Sequence, residues 1–254
     1  MLTAQRRDLL LQRLREDGQL VAKDLARELG TSEDTIRRDL RELSAAGRLQ
    51  RVYGGAIPAS PAAGDYATRQ AVALDSKDRV ARACVALIRP ARTVILDGGT
   101  TALAVARALP ERELTVVTHS PTIAVALVEN PAVDVFLLGG RLFKHSVVTS
   151  GAAAAEAAAG VSADVFLLGV TGVHAEAGLT TGDADEAAMK RTLSRRAAET
   201  WVMASAEKVG AASRFTVLAV EAVTGVVTDA DPEDPTVAGL QREGVTVITA
   251  AAGA

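Results

Sequence analysis

Residues 31–56 read TSEDTIRRDLRELSAAGRLQRVYGGA, and the spacing of the apolar residues here decides the N-terminal fold. Ile36, Leu40 and Leu43 recur at i, i+4 and i+7, one face of an α-helix. Ser32 stands ahead of them as an N-cap type, with Glu33 and Asp34 in the first turn, where the helix dipole favours acids. At about 100° per residue the stripe puts Arg38 almost opposite, flanked by Asp34 and Arg41. The exposed face is basic. After Gly47, the run RLQRVYGGA carries Leu49, Arg51, Val52 and Tyr53 into a Gly54-Gly55 turn, the pattern of a short β wing.

Two further helices precede this one. Leu10 and Leu14 lie one turn apart in a stretch that ends at Gly18; Val21, Leu25 and Leu29 repeat at four before Gly30. Three short helices, a glycine-broken turn before the third, and a basic wing match the geometry that lays a recognition helix in the major groove. A generic helical subdomain with a solvated basic face fits the same pattern. Charge is uneven along the chain, and residues 1–57 hold 11 Lys and Arg against 9 Asp and Glu while the rest holds 17 against 22, a local positive balance that suits an anionic partner and on its own fits a solvated helix face as well.

The run at 31–56 resembles the helix-turn-helix signature of the DeoR family of bacterial transcriptional regulators. Ser32, Thr35, Ile36, Arg37, Arg38, Asp39 and Leu40, the Gly47 turn and the ending Tyr53-Gly54-Gly55-Ala56 carry the resemblance. It implies a repressor of a sugar or nucleoside operon that contacts double-stranded operator DNA through Ser32, Thr35, Arg37, Arg38, Arg41, Arg51 and Tyr53. Arginine forks suit guanine edges or phosphate, and a hydroxyl near a helix start suits phosphate or base.

Pro58, Pro61 and Gly64 punctuate residues 58–72, which show no apolar period and read as a linker between a DNA-binding domain at 1–57 and a second domain at 73–254. Beyond the linker, helical stretches alternate with the apolar runs TVILD, LTVVT, VDVFLLG, ADVFLLG, TWVMAS, GVVTD and GVTVITA. Such runs predict a mostly parallel sheet covered on both faces, an α/β domain. DVFLLG occurs at 134 and again at 164, which predicts two similar core strands.

Ligands of parallel sheets bind beyond the carboxyl ends of strands. The segment Asp97-Gly98-Gly99-Thr100-Thr101 enters a helix there, and free N–H groups with hydroxyls make a cradle for phosphate. It lacks both the GK[ST] of a nucleotide loop and GxGxxG, so a bare glycine turn is its alternative. The family resemblance extends through LDGGTT, VVTHSPTIA, LLGGRL and GLTTGDADEAAMKR. It implies a fold similar to ribose-5-phosphate isomerase and a phosphorylated sugar as effector, bound by Asp97, Gly98, Gly99, Thr100, Thr101, His119, Ser120, Gly140, Arg141, Glu186, Lys190 and Lys208. Glu186 and Lys190 equally fit an ordinary i,i+4 helix pair. His119, Thr171 and the run Ser205-Ala206-Glu207-Lys208 depart from the family's pattern and predict fewer carboxylates around the ligand.

Other chemistry is poorly represented. His119, His145 and His174 show no metal-ligand spacing, and Cys84 is the single cysteine. The expectation is no metal, no cofactor and no catalysis. One enzymatic alternative stays open, a sugar-phosphate isomerase or deaminase with Asp183 or Glu186 as general base and an appended DNA-binding domain. An activator or a regulator blind to ligand would share the DNA-binding half. At 254 residues, 48% hydrophobic and 23% charged, with no long uninterrupted apolar run and no signal-peptide pattern, the chain is expected to be cytoplasmic, away from membranes, and a homo-oligomer, dimer or tetramer.

Overall fold

A computed structural model describes residues 2–90 and 92–251. The chain opens with α1 (Thr3–Asp17), β1 (Leu20–Val21), α2 (Ala22–Glu28), α3 (Glu33–Ala45), β2 (Gln50–Val52) and β3 (Gly55–Ile57). The strands form an antiparallel sheet in the order β1-β3-β2. Leu10, Leu14, Leu25, Ile36, Leu40, Leu43 and Leu49 close one apolar core beneath it. Gly18 ends α1 in the left-handed conformation, its N–H donating to the carbonyl of Leu14. In the wing, Gly54 takes φ +78°, and a Cβ on Gly55 would fall 1.7 Å from the carbonyl oxygen of Leu20. That close approach is what seats β3 against β1.

Val21 departs from the sequence reading. It belongs to β1 and is exposed, because the backbone of Leu20–Val21 pairs with Gly55 and Ala56 before α2 begins at Ala22. Tertiary strand pairing overrides the four-residue repeat.

Residues 58–72 carry a 3-10 turn at Pro61–Ala63 and α4 (Tyr66–Gln70). The segment is pinned to the α/β unit: Ser60 hydroxyl donates to the carbonyl of Thr171, the N–H of Tyr66 to the carbonyl of His145 at 2.8 Å, and the Tyr66 ring is buried.

The α/β unit runs α5 (Leu74–Leu87), β4 (Thr93–Leu96), α6 (Thr100–Ala108), β5 (Leu114–Thr118), α7 (Pro121–Leu127), β6 (Val133–Leu137), β7 (Arg141–Phe143), β8 (Val148–Ser150), α8 (Ala152–Ala159), β9 (Ala163–Gly169), β10 (Gly172–His174), β11 (Gly178–Thr181), α9 (Ala184–Ser194), β12 (Ala197–Ala204), β13 (Phe215–Leu218), β14 (Gly225–Thr228), α10 (Pro235–Arg242) and β15 (Thr246–Thr249). Seven strands form one parallel sheet in the order β15-β14-β12-β9-β4-β5-β6. They are the seven apolar runs of the sequence.

One face of the sheet buries Val80, Cys84, Val105, Ile123 and Leu127 from α5, α6 and α7; the other buries Ala154, Ala158, Ala187, Leu193 and Leu240 from α8, α9 and α10. The two DVFLLG copies end differently. Phe166, Leu167 and Leu168 sit in a central strand and are fully buried, whereas Phe136 and Leu137 lie on the edge strand β6 and are exposed. Position in the strand order, which the hexapeptide does not encode, decides which copy is core.

Candidate functional site

The carboxyl ends of the central strands β4, β9 and β12 open onto one cavity of about 40 Å³. Gly98, Gly99, Thr100 and Thr101 form one wall, where β4 turns into α6. A Cβ on Gly98 would stand 2.2 Å from Cγ1 of Val148, and Gly99 takes φ +109° as the N-cap of α6. Among the described residues no side chain caps this helix, so its first-turn N–H groups meet no side-chain acceptor there. By contrast α7 starts with Pro121, which has no N–H to offer.

Asp97 is the floor. It is fully buried, and Oδ1 accepts the N–H of Gly98 at 2.8 Å. Oδ2 accepts the N–H of Gly169 at 2.8 Å and Nζ of Lys190 at 2.5 Å. One carboxylate thus ties the ends of β4 and β9 to α9. Glu186 and Lys190 line the cavity and are both buried, and Lys190 pairs with Asp97 across the fold; the i,i+4 alternative does not form.

Lys208 brings a second ammonium, buried, with Nζ donating to Oγ1 of Thr101 at 3.0 Å. Burial away from water lowers its pKa to about 8, against the pull of Glu207. The sequence reading missed Arg69 and Lys77, which come from the segment it treated as a spacer and from the helix that follows. Desolvation lowers the pKa of both. Lys77 donates to the carbonyls of Arg69 and Val72 and so fixes the turn that presents Arg69, whose guanidinium reaches Oγ of Ser146 at 3.3 Å. Arg69 is the sole basic residue of 58–72, the one available signal.

Of the lining carboxylates, Glu186 is one that the sequence reading placed here and Glu207 one that it did not. Glu186 and Glu207 both line the cavity, and Oε1 of Glu207 accepts the hydroxyl of Ser205 at 2.6 Å while its buried Oε2 has no hydrogen-bond partner. Four cations, Arg69, Lys77, Lys190 and Lys208, therefore face two lining carboxylates above Asp97.

His119, Ser120, Gly140 and Arg141 do not line this cavity. The hairpin β7–β8 folds over the ends of β5 and β6: the N–H of Thr149 donates to the carbonyl of His119 at 2.7 Å, and its hydroxyl to that of Leu138 at 2.7 Å. His119 is shut beneath the floor with Nε2 3.6 Å from Asp97, and burial pushes its pKa down to about 4. Ser120 is spent on the carbonyl of Val147, Gly140 packs where a Cβ would meet Ala154 at 2.8 Å, and Arg141 is exposed on the hairpin. Asp183, the other base of the enzymatic alternative, caps α9 by accepting the N–H groups of Asp185 and Glu186 at 3.0 Å each, and it too lies outside the lining.

At the N-terminal unit, Arg38 and Arg41 project from α3 exposed, with no ion pair or side-chain hydrogen bond among the described residues. Arg37 is held by Glu33 at 2.6 Å, and the hydroxyls of Ser32 and Thr35 meet at 2.9 Å in the cap. Arg51 is exposed on β2 and Tyr53 stands fully exposed at the wing tip; a cleft between α3 and the wing is lined by Arg37, Arg51 and Tyr53. Asp39 is turned inward and buried against Arg6 at 2.5 Å and Arg7 at 3.0 Å, and Glu42 is paired with Arg7. Of the acids of α3, Asp39 is thereby removed from the outer face and Glu33 and Glu42 are paired with arginines, while Asp34 stays exposed beside Arg38.

Residues 6–62 match the DeoR-like helix-turn-helix domain, and residues 72–230 the DeoR C terminal sensor domain. The chain belongs to the DeoR family of transcriptional repressors. The HTH-type transcriptional regulator GlpR of Haloferax volcanii is 31% identical over 98% of this chain and 98% of its own. The HTH-type transcriptional repressor CsqR of Escherichia coli is 31% identical over 96% of this chain and 94% of its own. Among solved structures, ribose 5-phosphate isomerase A of Methanocaldococcus jannaschii matches at 16% identity and a TM-score of 0.39, over 52% of this chain and 53% of its own. In this DeoR-family chain the sensor match contains most of the cavity, including Lys77, Lys190 and Lys208, while Arg69 falls between the two matched segments. Among the described residues, no cluster of His, Cys, Asp and Glu could hold a metal, and no helix is long and apolar enough to cross a membrane.

Proposed function

We propose that this repressor binds a phosphorylated sugar in the cavity above Asp97 and that binding releases the operator of a carbohydrate or nucleoside operon. The observation that carries the reading is the meeting of an uncapped helix N-terminus, α6, with the ammonium of Lys208 and the guanidinium of Arg69 around one cavity. A phosphate would complete this arrangement, since oriented N–H groups and fixed cations both favour an anion. The neutral parent sugar would leave the four cations one in excess of the three carboxylates Asp97, Glu186 and Glu207, an excess that a phosphate removes. Gly98, Gly99, Thr100 and Thr101 supply the cradle, and Glu186 and Glu207 accept from sugar hydroxyls.

Ala62 and Ala63 line the same cavity only a few residues past the wing strand β3. A ligand seated against Ala62 and Ala63 bears directly on the segment that joins the DNA-binding unit to the cavity. A coupling of about 1 to 3 kcal/mol between ligand and operator suffices for regulation. On this reading the protein performs no turnover, with Asp183 engaged as a helix cap. It acts in the cytoplasm as a homo-oligomer on two operator half-sites, with Arg38 and Arg41 as the principal groove contacts and Arg37, Arg51, Tyr53, Ser32 and Thr35 beside them.

The test is calorimetry and an operator gel shift across matched phosphorylated and unphosphorylated sugars, with product assays on the same panel. Binding and operator release by phosphorylated members alone support the reading. Equal binding of the neutral parents would overturn the phosphate cradle, and turnover would overturn the regulator in favour of an isomerase.

A further inference from the structure

Glu186 is only 9% exposed and lines the cavity above Asp97, yet its carboxylate makes no hydrogen bond and no ion pair among the described residues. Local chemistry offers it two partners, and it takes neither. It stands three residues after Asp183, the N-cap of α9, where a glutamate commonly folds back onto the N–H of the cap. Here Asp183 accepts the N–H groups of Asp185 and Glu186, with no return bond from the Glu186 side chain. Lys190, one turn on and spaced for an i,i+4 pair, donates instead to Asp97. Arg69, another cation that feels the charge of Glu186, reaches Ser146. The residue is nonetheless firmly placed, since the cap fixes the first turn of α9 and Lys190 anchors the next.

A buried carboxylate with both oxygens unused is costly until something completes it. Phosphate cannot do so, because it brings acceptors and negative charge of its own. Nor is charge what Glu186 lacks, with Arg69 near enough to feel it and Lys190 one turn away. It lacks donors. The two oxygens of a carboxylate lie side by side and accept from two donors on neighbouring atoms. Hydroxyls on adjacent carbons meet that demand without adding a fifth cation to the cavity. Glu207, whose buried Oε2 is also unpartnered, is a second acceptor on the same cavity, so phosphate alone leaves both carboxylates unsatisfied. We infer that Glu186 is the specificity-determining residue of the cavity and reads a vicinal diol on the phosphorylated effector. This rests on the reading of the cavity as the effector site and adds which part of the sugar is recognised.

Calorimetry on the full chain tests it with inorganic phosphate, a panel of pentose and hexose phosphates, and the monodeoxy and amino analogues of the panel's tightest member. In the unaltered protein two monodeoxy analogues, lacking hydroxyls on adjacent carbons, should each bind about tenfold more weakly than the parent, as for loss of a hydrogen bond to a charged group. Glu186→Ala should bind the parent and those two analogues alike. It should hold inorganic phosphate as tightly as the unaltered protein or more tightly, because a negative charge is gone. Glu186→Gln, similar in volume and neutral, should discriminate to an intermediate degree. Loss of inorganic phosphate binding in Glu186→Ala would overturn the inference by making Glu186 a scaffold residue. Undiminished discrimination in that variant, a panel bound no more tightly than inorganic phosphate, or an amino analogue that outbinds its hydroxyl parent would overturn it alone and leave the phosphate cradle standing. An unaltered protein that binds neither inorganic phosphate nor any sugar phosphate would overturn both.

Discussion

Lys190 reaches Asp97 at 2.5 Å across the end of the sheet, both side chains buried, although 93 residues separate them. A carboxylate held away from water by one ammonium and two backbone N–H groups is stable only while its partners stay. Lys190→Met should therefore destabilise the α/β unit by about 3 to 5 kcal/mol, the cost of leaving a buried charge unpaired. Adding Asp97→Asn should return most of that loss. Urea unfolding of the single and double variants checks it, and an additive double variant would show that the pair does not share one energetic unit.

Arg38 and Asp39 are neighbours on α3 with opposite duties. Arg38→Ala should cut operator affinity by about 1 to 3 kcal/mol per site with circular dichroism unchanged. Asp39→Ala leaves Arg6 and Arg7 without their buried partner and should unfold the N-terminal unit before any DNA is added. Operator affinity and thermal melts on both variants separate recognition from scaffold.

Salt reports the same face. A dimer that neutralises roughly 6 phosphates should show a slope of about −5 in log K against log salt. Arg41→Ala should make that slope shallower by about 2 for the two copies, measured by fluorescence anisotropy on an operator duplex.

His119 makes the fold acid-sensitive. Its pKa is held at about 4 by burial, below the ordinary 6.5, so the unfolded chain takes up the proton first as pH falls. The contribution is constant above pH 6.5, is lost between 6.5 and 4, and is flat below 4. The full loss amounts to about 3 kcal/mol. The difference between wild type and His119→Gln in urea unfolding at pH 7 and pH 4.5 isolates it; parallel pH profiles would refute it.

Lys208 gives ligand binding the opposite limit. With a pKa of about 8 the ammonium is present below that pH and lost above it. The affinity for a sugar phosphate that binds at pH 7 should fall about tenfold per unit once pH passes 8. Lys208→Met should bind weakly and without this dependence. Calorimetry at pH 7, 8 and 9 on both proteins decides the point.

The recognition helix, its Ser32 cap, the wing glycines and all seven core strands could be read from local sequence, because each is set by the spacing of apolar residues over a few positions. Ile36, Leu40 and Leu43 face inward whatever lies beyond them, and TVIL or GVVT has no stable place outside a sheet interior. The loop Gly98–Thr101 was readable for the same reason, as a strand running straight into a helix. Tertiary structure alone decided which loops share a cavity. Strand order placed β4, β9 and β12 side by side and set β5 and β6 toward the edge, where the β7–β8 hairpin covers His119. It also turned Asp39 inward, brought Arg69 from an unpatterned segment to the cavity wall, and exposed one copy of DVFLLG while burying the other. Such outcomes depend on contacts between residues tens of positions apart, and the periodicity of a single segment carries no record of them.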